Sequence, residues 1–106
     1  MAKYLLELNY SSQGIKGVLD NGGSAREKAG RVAIESAGGK LESLHFAFGG
    51  TDAYAICDLP DNTSAAALAM TLSASGAVMA RTVVLLTPSE VDAASHTTIN
   101  YSPPGA

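Results

Sequence analysis

Leu41-Glu42-Ser43-Leu44-His45-Phe46-Ala47-Phe48-Gly49-Gly50-Thr51-Asp52-Ala53-Tyr54-Ala55-Ile56-Cys57-Asp58-Leu59 decides the fold. Two runs rich in apolar and β-favouring residues, Leu41 to Phe48 and Ala53 to Leu59, flank two glycines and a short polar pair. Such a junction closes a β-hairpin, because glycine adopts the turn conformations that other residues avoid. Helical periodicity lies on either side of the hairpin. Upstream, Ser24 opens a helix with Glu27 three residues on as a capping box, and Ala25, Ala29, Val32, Ala33 and Ala37 form its inner stripe. Downstream, Asp61 or Asn62 caps a helix carrying Ala65, Leu68, Ala69 and Leu72, which Gly76 ends.

Strands stand outside both helices, at Lys3 to Tyr10 and at Ala77 to Leu86. The order is β-α-β-β-α-β, the ferredoxin-like arrangement: an α+β domain with an antiparallel sheet. Ser11 caps a short first helix with Ile15, Val18 and Leu19 on one face, broken at Asp20-Asn21-Gly22-Gly23. Thr87-Pro88-Ser89-Glu90 starts a short third helix, running to about Ser95. Thr97 to Tyr101 reads as an edge strand and Ser102 to Ala106 as a tail. The chain is thus one domain, residues 1–106, with a core over 3–87 and a C-terminal helix and tail over 88–106.

The hairpin and the chain beyond it also resemble the GYD domain family. The residues that carry the resemblance are Phe46-Ala47-Phe48-Gly49-Gly50-Thr51-Asp52, then Ile56-Cys57-Asp58-Leu59-Pro60-Asp61, an Ala-rich helix, and Ser75-Gly76-Ala77-Val78. The family is named for Gly-Tyr-Asp at this turn, and here Thr51 holds the middle position. The pattern covers roughly Lys3 to Thr87. It implies a small bacterial or archaeal domain of the dimeric α+β barrel type, singles out Asp52, and implies no activity.

Composition bounds the partners. Of the 106 residues, 46% are hydrophobic and 16% charged. The charged share is low against a typical ~25%, so much of the surface is uncharged or is covered by a second copy. The net charge of −3 and the absence of a basic run exclude nucleic acid as an expected partner, since binding it requires a positive stripe that displaces counterions. No run approaches the ~20 apolar residues of a membrane span, and Met1-Ala2-Lys3-Tyr4-Leu5-Leu6-Glu7 meets charge before a signal-length apolar stretch forms. One cysteine, Cys57, forms no internal disulfide. The expected compartment is the cytoplasm, without membrane attachment.

Alternation assigns strand faces. Tyr4, Leu6, Leu8 and Tyr10, with Leu44, Phe46 and Phe48, make an apolar face expected beneath the helices. The other face mixes Leu5, Leu41, Val83 and Leu85 with Glu7, Ser43, His45 and Arg81. That mixture suits a sheet packed on a second sheet, hence a homodimer or larger homo-oligomer, with Glu7 and Arg81 paired within one subunit or across the interface.

Five residues are ligand-binding candidates. His45 is the one histidine on a strand, a possible general base, with Tyr54 on the neighbouring strand and Arg81 on the same face. Asp52 closes the hairpin, where an aspartate also serves by bonding backbone amides. Arg26 sits in the first turn of the helix after Gly22-Gly23-Ser24, where a guanidinium and free amides can hold a carboxylate or phosphate. The two histidines and one cysteine lack metal-ligand spacing, and neither glycine pair has the offsets of a phosphate loop, so no metal and no cofactor is expected. Three readings are open: a small-molecule binding or accessory protein without turnover; an enzyme resembling the cofactor-free monooxygenases and isomerases that this fold also hosts, which is analogy by fold alone; or a structural subunit of a larger homo-oligomer.

Overall fold

The structure, a computed structural model, describes residues 1–105; Ala106, the last residue of the expected tail, lies outside them. The elements are β1 (Ala2–Tyr10), α1 (Ser12–Ser36), β2 (Lys40–Phe46), β3 (Ala53–Leu59), α2 (Asn62–Ala74), β4 (Val78–Leu85) and α3 (Pro88–Ser95). The four strands form one antiparallel sheet in the order β2-β3-β1-β4. This is the ferredoxin-like α+β arrangement that the hairpin and its flanking helices imply.

β3 shows why the sheet has one covered face. Ala53, Ala55, Cys57 and Leu59 are all buried, and the residues between them are not. Their small side chains let the helices approach. Tyr4 and Leu6 on β1 join Ile34 of α1, Leu41 of β2, and Ala65 and Leu68 of α2 to complete the core. The Tyr4 hydroxyl donates to Asn62 Oδ1 at 2.7 Å, pinning the start of α2 to the sheet. Caps fix the helix starts. Ser11 accepts from the Gly14 amide, Asp61 from the Ser64 amide, and Thr87 with Glu90 forms a reciprocal capping box.

The break expected at Asp20-Asn21-Gly22-Gly23 is present inside α1: Gly22, with φ 83° and ψ 170°, is not helical and joins two helical segments, in a conformation that glycine adopts without steric cost. Two sequence expectations need correction. First, the inward stripe is Arg26, Gly30, Ala33, Ile34 and Ala37, while Ala25, Ala29 and Val32 are exposed. Val32 and Ile34 stand about 200° apart around a helix, so only one can be buried, and the larger Ile34 takes the core. Second, β2 does not alternate without interruption. Its register shifts between Leu41 and Ser43, a β-bulge around Glu42. Leu41 therefore joins Leu44 on the covered face and is buried, not on the open face with His45. Beyond the bulge the strand soon ends. Phe46 is 39% exposed and Phe48 wholly exposed, so neither is the buried core residue that alternation implied.

After Leu85 the chain leaves the body. No residue of α3 is buried, and Thr97 to Tyr101 is irregular chain, not an edge strand. Ile99 and Tyr101 are exposed. This arm stretches the molecule to 56 Å in its longest dimension.

Candidate functional site

The register brings three of the five candidates onto the open face of the sheet. His45 lies opposite Tyr54, Tyr54 opposite Glu7, and Glu7 opposite Arg81, so the four form one row across all four strands. Arg81 Nε stands 3.8 Å from Glu7 Oε2 within the same subunit. Its Nη2 donates to Thr51 Oγ1 at 3.0 Å, and Asn9 Nδ2 donates to the Gly50 carbonyl at 2.8 Å. The hairpin turn is thereby tied to the end of β1 and to the middle of β4. Thr51, at the position where the family signature has tyrosine, is buried and serves as the acceptor for Arg81. Sequence reasoning missed Asn9 and Thr51. Their signal was the strand register, which places residue 9 beside the turn once the first and third strands are neighbours.

A second ion-pair group stands further along the open face. Lys3 Nζ contacts Glu42 at 2.6 Å and Asp58 at 3.2 Å. The carboxylates of Glu42 and Asp58 hold the Lys3 ammonium above its ordinary pKa. Leu5, Ile56 and Val83 occupy the row between these polar groups. Among the described residues, His45 makes no side-chain hydrogen bond and has no acid partner, so the row has the makings of a packing surface more than of an acid–base relay.

Asp52 and Arg26 lie apart from that row. Asp52 Oδ2 accepts from the Tyr10 amide at 2.9 Å, its own amide donates to the Leu8 carbonyl, and its carbonyl accepts from the Ala47 amide. The carboxylate thus extends the β1–β3 pairing past the end of the strands, across 42 positions of sequence, instead of closing its own turn. Arg26 is half-buried on the covered side of the sheet.

That covered side holds the open space. α1 packs mainly on β2 and α2 on β4, and the two helices pack little on each other. Between them runs a groove of about 590 Å³, lined by Tyr10, Gln13, Asn21, Arg26, Thr71 and Ser75 among others. A cleft of about 480 Å³, walled by Ile15, Val18, Phe46 and Phe48, opens between α1 and the hairpin. A small void of about 50 Å³ lies deeper, between Leu6, Leu8, Ile34 and Leu68. Tyr10 borders all three, and Arg26 borders the groove and the void. Sequence reasoning places Tyr10 and Phe46 on this covered face but misses Gln13, Asn21, Thr71 and Ser75. Their signal was weak: polar residues on helix faces that ought to have been apolar.

Cys57 has no exposed surface. Burial, and next the Asp58 carboxylate beside it, push its thiol up to about 11. The folded state therefore keeps a proton that the unfolded chain releases near pH 8.5–9. Stability is expected to fall as the pH rises from about 9 towards 11, with the full contribution present below that window. Urea midpoints measured from pH 8 to 11 on the native protein and on Cys57→Ala check this, the variant showing the shallower decline. Among the described residues no cluster of His, Cys, Asp and Glu is arranged to hold a metal, and no helix is long and apolar enough to cross a membrane.

The architecture is that of a small α+β domain with one helix-covered and one bare sheet face. A family model, the GYD domain, matches residues 4–95, and the chain belongs to that family. No curated protein and no solved structure matches the chain.

Proposed function

We propose that this protein is a homo-oligomeric small-molecule binding module without turnover, at least a dimer, working in the cytoplasm. The observation that carries the binding reading is the groove between α1 and α2. Its volume of about 590 Å³ is of ligand size, and it joins apolar walls to a few polar groups. The His45–Tyr54–Glu7–Arg81 row supports the dimer. It bears both signs of charge beside Leu5, Ile56 and Val83, so the face suits a second copy of itself related by a two-fold axis. Because Glu7 and Arg81 already face each other within the subunit, burying the row brings both charges of the pair together and leaves neither alone.

Light scattering at about 10 µM, a concentration that specific interfaces tolerate, is expected to give at least twice the 10.8 kDa chain mass. Leu5→Glu, which puts an unmatched charge at the centre of the bare face, is expected to return the 10.8 kDa species. A monomeric native protein overturns the dimer. A thermal-shift screen of small aromatic and aliphatic compounds tests the groove: ligands that bind only the folded state raise the melting temperature. A screen with no hit overturns the binding reading.

A further inference from the structure

Resting on that reading of the groove, we infer that its ligand is an organic monoanion: a carboxylate held by Arg26, carried on an apolar body that reaches the void beneath. Of the four basic side chains that lie in or against the sheet, Lys40 is exposed at the start of β2, and the other three are in different circumstances. Lys3 and Arg81 each meet carboxylates. Arg26 meets none: among the described residues its guanidinium makes neither a hydrogen bond nor an ion pair. Yet it is half-buried and borders an apolar void. A guanidinium so placed is stabilised by a counter-charge.

The groove itself supplies no counter-charge. Arg26 is the one charged side chain among its lining residues. The neighbouring polar groups add donors, not negative charge. Thr71 and Ser75 already donate their hydroxyl protons to the carbonyls of Ala67 and Leu72. The side chains of Tyr10, Gln13 and Asn21 make no hydrogen bond among the described residues and remain available to a ligand's oxygens. With one cation and no second, the site matches a singly charged carboxylate better than a phosphate dianion.

Two glycines of α1 fit the same picture. A methyl group added at Gly17 or at Gly30 would meet no atom within 4 Å, so neither glycine is needed for close packing. Gly17 lines the groove and Gly30 the void. Both widen the space at positions where alanine would make a better helix.

Phenylacetate and its neutral isostere phenylacetamide separate the possibilities in an NMR titration of the native protein. Phenylacetate is expected to shift the Gly17 and Gly30 amide resonances, and phenylacetamide to bind about tenfold more weakly or worse, as loss of a charge-assisted bidentate contact implies. Arg26→Gln is expected to weaken phenylacetate by about the same factor and to leave phenylacetamide unchanged. Gly17→Leu, which fills the groove from a helical position, is expected to abolish both without lowering the melting temperature. Equal binding of the two probes to the native protein overturns the anion assignment and leaves the binding module standing. So does indifference of phenylacetate to Arg26→Gln. Should that variant not fold, the comparison of the two probes on the native chain decides alone. If neither probe moves any resonance at millimolar concentration, the reading of the groove falls and this inference with it.

Discussion

Leu59→Ala is expected to lower the unfolding free energy by about 2–5 kcal/mol, the range for truncating a large aliphatic side chain inside a packed core. Leu59 has no exposed surface. It ends β3 opposite Ala2 of β1, and its Cδ2 lies so close to Gly39 that a methyl group on that glycine would overlap it. The side chain therefore seals the end of the core where α1 turns into β2. The surrounding backbone is held in the sheet and has little room to collapse into the gap, which places the effect in the upper part of that range. A urea midpoint close to that of the native protein would show that this end of the core is loose.

Gly14→Ala is expected to destabilise by about 1–3 kcal/mol, the typical cost of forcing extra volume into a close contact. In an ordinary helix the same change stabilises by roughly 0.5–1 kcal/mol. Here the new methyl would run into the carbonyl of Ala77 and press on the Tyr10 ring. That carbonyl cannot easily move, because it accepts the Ser11 amide at 3.0 Å. Gly17→Ala, three residues on and facing open space, is expected to show the ordinary stabilisation. Measuring both midpoints in parallel checks the geometry, since a wrong placement of α1 against the start of β4 would make the two variants behave alike.

The order of elements is legible because it depends on short-range chemistry. Gly49-Gly50 between apolar runs, Ser11, Asp61 and Thr87 as caps, and Gly76 as a helix end each act within a few residues of themselves. What is not legible depends on where one element meets another. Nothing within Leu41 to Phe48 announces the bulge at Glu42. It becomes visible only when Leu41 pairs with Cys57 and Ser43 with Ile56. The choice between Val32 and Ile34 for the inner face of α1 is likewise made by the sheet.

The candidate site is legible only as parts. Alternation puts His45 and Arg81 on one face with Tyr54 on the strand beside them, and the register places all three in one row through Glu7. Asp52 and Arg26 stand out by closeness in sequence to the hairpin or to a helix start. In space Asp52 is bonded to the Tyr10 amide and borders the cleft beside α1, while Arg26 borders the groove between the helices. Tyr10 lines both spaces, a juxtaposition made by tertiary packing that no local pattern reveals.

The sheet order leaves β4 with a neighbour on one side only. Its outer edge, Val-Met-Ala-Arg-Thr-Val-Val-Leu, is eight residues of strongly β-favouring chain in which Arg81 is the single charge. Met79 and Val84 on this strand are largely exposed. An uncharged edge of this kind recruits strands from other molecules and seeds cross-β aggregates. Arg81 interrupts the run near its middle, and Pro88, which has no amide hydrogen to donate, stands shortly beyond its end. The same arginine that ties the turn to the sheet is thus the colloidal safeguard of the chain. It matters most during synthesis and refolding, when unpaired strand edges are exposed.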